Sequence, residues 1–122
     1  MSPFDKFRTW RRAHELALAV FRSVEALPPG GRADLASEVR RAAVNLPVRI
    51  ARAAGERSPP AGSPRAWDRS RAAALRLDYL LLLARDLGWL APAECGALRR
   101  RVAAVEKLLA TGTRRGNADG HP

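Results

Sequence analysis

The sequence contains one cysteine and two histidines, and these small numbers exclude several kinds of site. A lone Cys95 cannot form an intrachain disulfide, which fits a reducing compartment such as the cytoplasm, and it excludes a zinc site built from cysteines. His14 has no second histidine near it, because the other one is His121. We therefore predict no metal and no cofactor. We expect His14 to be a packed residue bonded to backbone or to a carboxylate, and Cys95 to lie at the edge of the core.

Long apolar runs and catalytic motifs are also missing. The longest apolar run, Tyr79 to Ala84, is far too short to cross a bilayer, and the N-terminal stretch meets charges too early for a signal peptide. The sequence has no glycine-rich phosphate loop, no metal-ligand cluster and no paired nucleophile and base. Asp78 and Asp86 are interpreted as ion-pair partners of nearby arginines. These absences predict a cytoplasmic protein that is not an enzyme.

Acidic residues are scarce relative to basic ones. The chain has 22 Lys and Arg against 12 Asp and Glu, a net charge of +10, and a pI near 11.5. The excess is spread along the whole sequence, so it belongs to the folded body rather than to a tail. Such a balance favours nucleic acid or an anionic membrane surface as the partner. Because the apolar faces are needed elsewhere, we expect nucleic acid rather than membrane.

No stretch alternates as a strand does, and breakers divide the chain into four segments with helical periodicity. We predict helices over residues 5–27, 32–55, 65–88 and 92–111, and a flexible tail over 113–122. Four rods of roughly 30 to 36 Å joined by short connections favour antiparallel neighbours. The prediction is an all-α, antiparallel up-down four-helix bundle over residues 1–112, assembling as a homo-oligomer.

The second segment combines an apolar stripe with a polar strip. The stripe continues through Pro47, which predicts a kinked helix rather than two helices. The polar strip, whose middle we call the basic ridge, consists of Arg41, Asn45, Arg49 and Arg52. In one interpretation it is a solvated face on which Glu38 pairs with Arg41 and Glu56 with Arg52. In the other it binds phosphates, because Arg49 has no acidic residue three or four positions away.

Two apolar features have no obvious place in the core of one bundle. The run YLLLL at 79–83 covers the whole circumference of a helix, so it is either sheathed within the chain or packed against another subunit. One flank of the second segment also points away from both the core and the basic ridge. We expect a subunit interface formed by Val44, Pro47, Val48, Ala51, Leu75, Tyr79 and Leu82.

Three stretches carry a resemblance to a known family: FDKFRTWRRAHELALAV, RRAAVNLPVRIARAAGERS and LLARDLGWL. The chain resembles, over about residues 4–110, the four-helix-bundle proteins encoded in intervening sequences of bacterial 23S ribosomal RNA genes. That family is related to the accessory variability determinant of diversity-generating retroelements. The resemblance implies a homopentameric barrel of antiparallel bundles that binds RNA or DNA and a reverse transcriptase.

The second segment carries the most specific part of the resemblance, since the family typically reads RRAAVSIPSNIAEG there. The matching residues are Arg40, Arg41, Ala42, Ala43, Val44, Pro47, Ile50 and Ala51. The departures are Asn45, Val48, Arg49, Arg52 and Ala53, which stand where Ser, Ser, Asn, Glu and Gly are usual. No role of the family's Asn or Glu can therefore be carried over. The exchange toward arginine favours nucleic-acid binding.

We therefore expect a non-catalytic, nucleic-acid-binding accessory protein; the alternative is a scaffold whose basic face binds an acidic protein. The candidate phosphate contacts are Arg8, Arg11, Arg12, Arg41, Arg49, Arg52, Arg65, Arg69 and Arg76. Binding should be weakly sequence-specific, because the sequence has no groove-reading motif and few aromatic residues expected at the surface. Trp67 either stacks on bases or, as we favour, anchors the start of the third helix.

Overall fold

The computed structural model describes residues 3–27, 32–55 and 64–119, with side chains described for 6–27, 32–55 and 64–111. These residues form four α-helices and no strand. The helices are α1 (Pro3–Glu25), α2 (Ala33–Gly55), α3 (Pro64–Asp86) and α4 (Pro92–Asp119). Three of them begin at a proline, whose fixed φ and missing N–H suit the first helical position. The all-α prediction is confirmed.

The helix ends lie within two residues of those expected, except at the end of the fourth helix. The third helix stops at Asp86 rather than at residue 88, and the fourth runs to Asp119. Residues 113–119, which were expected to belong to a flexible tail, are therefore helical. That expectation rested on the absence of apolar residues, but backbone hydrogen bonding can carry an established helix beyond its packed part. Residues 120–122, the rest of the predicted tail, lie outside the described part of the chain.

The helices pack in a closed ring around one core. Each helix lies beside its neighbours in sequence, and α1 also lies beside α4, whereas among the described residues no Cα atoms of the diagonal pairs α1/α3 and α2/α4 come within 8 Å of each other. The predicted stripe of α2 is buried in full: Leu35, Val39, Ala42, Ala43, Leu46, Ile50 and Ala53. Across the ring, Leu16, Leu77 and Leu109 are fully buried as well. The arrangement is a four-helix bundle.

The α2 helix continues through its internal proline, as the unbroken apolar stripe predicted. Pro47 is itself buried, so the chain packs against its ring even though the ring removes one backbone donor. Leu46 and Ile50, on either side of it, are fully buried. Tertiary packing therefore holds α2 as one element across a residue that would interrupt an isolated helix.

A glycine closes α3 and turns the chain toward α4. Gly88 has φ +75°, and its N–H donates to the Arg85 carbonyl at 2.9 Å, while Trp89 N–H donates to the Ala84 carbonyl at 3.0 Å. This pair of bonds is the Schellman motif, in which the left-handed residue satisfies carbonyls that the helix end would leave unpaired. The motif fixes where α3 stops and where α4 can start.

The boundary between α3 and α4 carries a two-pronged ion pair. The Arg99 guanidinium donates to both carboxylate oxygens of Asp78, at 2.9 and 3.1 Å, and this hydrogen bonding raises the pKa of Arg99. Asp86 pairs with Arg85 at 2.9 Å. Both aspartates are ion-pair partners of arginines, as predicted.

Two further titratable groups lie near this ion pair. Cys95 is buried, its thiol donates to the Leu81 carbonyl at 3.4 Å, and burial raises the pKa of the thiol. Glu106 is half-buried, and burial together with the negative charge of Asp78 raises the pKa of its carboxyl. Folding therefore disfavours the charged form of the Glu106 carboxyl.

We expect Gly88→Ala to lower the free energy of unfolding by about 1 to 2 kcal/mol, because a Cβ in the left-handed region is strained. The space itself is open, since an added Cβ would meet no atom within 4 Å. Gly55→Ala is the control: its added Cβ also meets nothing within 4 Å, and its φ is not positive. Urea denaturation should show a loss for Gly88→Ala only, and equal losses would contradict this account.

We expect Glu106→Gln to raise the free energy of unfolding at pH 7 by up to about 0.5 kcal/mol. A carboxyl whose pKa is raised by folding contributes stability that is fully present below its unfolded-state pKa and is lost as pH rises through the folded pKa. The difference between variant and wild type should therefore vanish in acid. Thermal unfolding at several pH values measures it, and a variant less stable than wild type at pH 7 would contradict the assignment.

Candidate nucleic-acid interface

The buried stripe of α2 leaves an outer face with two different sides. On one side lies the basic ridge, where Arg41 and Arg52 are exposed and Asn45 and Arg49 are half-buried. On the other side lie Val44, Val48 and Ala51, all exposed. Helical periodicity fixes these positions once the stripe points inward. The basic ridge and the apolar flank formed by Val44, Val48 and Ala51 therefore face different neighbouring helices.

The basic ridge faces α3. Arg76 of α3 donates to Glu38 of α2 at 2.8 Å, which joins the two helices across their boundary. Arg65 and Arg69 lie on the same side of α3 as Arg76, at spacings of eleven and seven residues, and all three are exposed. The structure therefore brings the candidate arginines of α2 and those of α3 together. We call the six arginines along this boundary the basic seam: Arg41, Arg49, Arg52, Arg65, Arg69 and Arg76.

Among the residues that the structure describes, one carboxylate lies within the basic seam. Glu38 pairs with Arg41 at 3.5 Å and with Arg76 at 2.8 Å, and the two arginine side chains remain 73% and 60% exposed. The first pair expected for a solvated face is thus present, whereas the second involves Glu56, which lies outside the described residues. Arg49, Arg52, Arg65 and Arg69 make no ion pair with any described residue. The seam therefore stays strongly positive after pairing.

The three candidate arginines of α1 lie apart from the basic seam. Arg11 and Arg12 both pair with Glu15, at 3.5 and 3.6 Å. The helical projection of α1 turns Arg8 and Arg12 away from the side that contacts α2. The nine predicted contacts therefore separate into the six residues of the seam and a group of three on another face.

The predicted subunit interface also separates into two patches. Between α1 and α2 runs an apolar groove of about 440 Å³, lined by Trp10, His14, Ala17, Leu18, Phe21, Val44, Pro47, Val48 and Ala51. We call this the aromatic groove. On α3, Leu75 and Tyr79 are exposed and Leu82 is half-buried, and we call these three the α3 strip. The basic ridge of α2 lies between the groove and the strip.

Most of the apolar run at 79–83 on α3 is covered by other helices of the same chain. Leu80 and Leu81 are buried, and Leu83 packs against the core, so Tyr79 is the one residue of the YLLLL run that is more than half exposed. Pro47, also expected at the subunit interface, is buried and lines the aromatic groove between α1 and α2. The bundle therefore buries more of the residues expected at a subunit interface than the sequence indicated.

The exposed aromatic residues are not those expected from the sequence. Phe7 is 58% exposed and stacks on Trp10 at 6.5 Å between ring centroids, and His14 stacks on the same indole at 5.1 Å with an interplanar angle of 4°. Trp67 is 5% exposed near the start of α3, which confirms the favoured interpretation that it anchors this helix and leaves its ring unavailable for stacking on bases. His14 is exposed and stacks on the Trp10 indole, and it makes no hydrogen bond to another described residue, contrary to the expected bond to backbone or a carboxylate. The sequence did contain a signal for this stack, since Phe7, Trp10 and His14 follow one another at intervals of three and four residues, which places them on one side of a helix.

Other kinds of site find no support in the described residues. Within them no three His, Cys, Asp or Glu side chains come close enough to hold a metal ion. In the same part of the chain, no helix combines the length and the apolar character needed to cross a membrane.

Comparison with known proteins finds one family. The model of the family described as 23S rRNA-intervening sequence protein matches residues 5–111, which include all four helices except the ends of α1 and α4. A search among curated proteins finds no match.

We expect Glu38→Gln to strengthen binding to a polyanion, because it releases Arg41 and Arg76 without removing any cation from the basic seam. The matched control is Glu15→Gln, which changes the net charge equally and also releases two arginines, but on α1. On a heparin column, Glu38→Gln should elute at higher salt than wild type and than Glu15→Gln. Equal shifts for the two variants would mean that the seam is not the preferred binding surface.

Proposed function

The chain belongs to the 23S rRNA-intervening sequence protein family, and from this premise we propose that it is a non-catalytic protein whose basic seam binds the phosphate backbone of RNA or DNA. The observation that carries the proposal is the arrangement of six arginines along a single helix boundary, where Glu38 is the one carboxylate among the described residues. Contacts to phosphates supply affinity with little sequence preference, and they make binding steeply dependent on salt.

The unequal pairing of arginines on α3 supports this use of the seam. On the side toward α4, Arg71 pairs with Asp68 and Arg85 with Asp86. On the side toward α2, Arg65 and Arg69 have no such partner among the described residues. Guanidinium groups bind phosphate oxygens through two parallel bonds, so exposed, unpaired arginines are suited to a nucleic-acid backbone.

The helices are proposed to run up and down in turn. The contacts between α3 and α4 support this: Cys95 touches Leu81, and Arg99, one turn later in α4, touches Asp78, which comes earlier in α3. Near the other corner, Ser23 at the end of α1 donates to Glu94 at the start of α4. Antiparallel neighbours are also what short connections favour.

We further propose that the protein self-associates through the α3 strip. Leu75 and Tyr79 are 66% and 58% exposed on adjacent turns, an apolar surface that association would remove from water. Repetition of the seam around an oligomer would multiply weak phosphate contacts into useful avidity. Five subunits, a reverse-transcriptase partner and action in the cytoplasm complete the proposal; the first two rest on the family resemblance alone.

A second candidate function has one observation in its favour. Glu38 shows that carboxylates do bind within the seam, since it contacts arginines from both helices. An acidic protein could present further carboxylates to the same arginines, and the bundle would then be a protein-interaction scaffold. This alternative predicts salt-sensitive protein binding and little affinity for RNA.

The test is fluorescence-anisotropy titration of a structured RNA at several salt concentrations. We expect tight binding by wild type and a weaker, less salt-dependent affinity for Arg41/Arg49/Arg52→Gln. Loss of three phosphate contacts should reduce the slope of log affinity against log salt by about 2 to 3.

The control Arg100/Arg101/Lys107→Gln removes the same charge from three exposed positions of α4. If both triple variants lose affinity equally, binding follows net charge and the seam has no special role. If wild type does not bind RNA at low salt, the proposal fails, and the scaffold becomes the better account.

A further inference from the structure

The aromatic groove continues into a second, cationic depression on the surface of α2. This depression, of about 760 Å³, is lined by Phe21, Arg40, Arg41, Ala42, Val44, Asn45, Val48 and Arg76. It shares Phe21, Val44 and Val48 with the aromatic groove, so the two are parts of one surface channel. One end of the channel offers aromatic rings, and the other offers guanidinium groups.

The aromatic end presents flat apolar surface to the outside. Trp10 and His14 line this end, Phe7 and His14 both stack on Trp10, and the rings of Phe7 and His14 are exposed. A ring stack of this kind is already ordered, so a further planar group can be added without immobilising new side chains. Nucleobases are planar and stack on aromatic side chains whatever their identity.

The cationic end presents charge and one amide. Arg41 and Arg76 are held in place by Glu38 while remaining largely exposed, and Arg40 has no ion pair with a described residue. Asn45 lies among them, half-buried. A ligand that fits the whole channel must therefore be anionic at one end and planar and apolar at the other, which is the chemistry of a nucleotide.

We propose that this channel binds unpaired nucleotides of a single-stranded nucleic acid, with the bases on the Phe7–Trp10–His14 stack and the phosphates on Arg40, Arg41 and Arg76. The inference rests on the proposed function and narrows its ligand to strands whose bases are free to stack. In a duplex the faces of the bases are stacked on one another, so they are not free to lie on the aromatic end.

Charge decides between this ligand and a second copy of the chain. The α3 strip of another subunit is the apolar surface that could enter the groove, and it is flanked by Arg76, with Arg65 and Arg69 on the same side of the helix. Docking it would bring those cations toward Arg40 and Arg41, and opposed like charges disfavour such a contact. A nucleic-acid strand brings the opposite charge.

The ligand pair for the test is a fluorescent single-stranded oligodeoxynucleotide and an abasic strand of the same length, which carries the same phosphates without bases. Wild type should bind the base-bearing strand about tenfold more tightly, within the range expected for stacking. The ratio of the two dissociation constants is the readout, because it cancels effects on phosphate contacts.

Phe7→Ala/His14→Ala should bring that ratio close to one while leaving the affinity for the abasic strand unchanged. Both side chains are exposed, so their removal should not unfold the bundle. The control Leu75→Ala/Tyr79→Ala removes similarly exposed side chains outside the channel and should retain the ratio even if self-association changes.

A ratio of dissociation constants near one for wild type would overturn the inference. So would a Phe7→Ala/His14→Ala variant that keeps the wild-type ratio. So would a change in molecular mass of that variant by light scattering, since the groove would then be covered by a second copy or be needed for assembly. If both strands bind wild type equally and the Arg41/Arg49/Arg52→Gln variant weakens both, the proposed function stands and only this inference fails. Absence of binding to either strand removes both.

Discussion

Burial of one stripe of α2 between α1 and α3 is the constraint on which the other features depend. Once Leu46 and Ile50 point into the core, the 3.6-residue period turns the arginines toward α3 and the small apolar residues toward α1. The same rotation places a basic seam on one side of α2 and an apolar groove on the other. A helix with another phase would bury arginines without partners, at a cost of several kcal/mol per charge.

Positive charge is concentrated in the basic seam, whereas elsewhere in the molecule more of the arginines are neutralised by acidic partners. Around the α3/α4 boundary, arginines face aspartates, as Arg99 faces Asp78. Along the α2/α3 boundary Glu38 pairs with two arginines, and the other four arginines of the seam make no ion pair within the described part of the chain. Mutual repulsion there opposes folding, and a bound polyanion would relieve it. On this account the seam is a surface that is more stable when occupied, and its occupancy depends on salt.

Periodicity was enough to predict the helices and the stripe of α2, because these depend on spacing along one element. It was not enough to place residues that two helices share. Whether Arg41 lies beside Arg76, or Pro47 beneath α1, depends on the order of helices around the ring. The aromatic stack was missed for a different reason: Trp10 packs against the core, and its ring also stacks with those of Phe7 and His14.

The central claim is that nucleic acid lies along the α2/α3 boundary, and arginine-specific covalent labelling with mass spectrometry tests it most directly. Labelling by phenylglyoxal with and without bound RNA reports the exposure of each guanidinium group separately. The account predicts protection of Arg49, Arg52, Arg65 and Arg69, and unchanged labelling of Arg100 and Arg101 on α4. Protection spread evenly over all helices, or confined to α4, would contradict it.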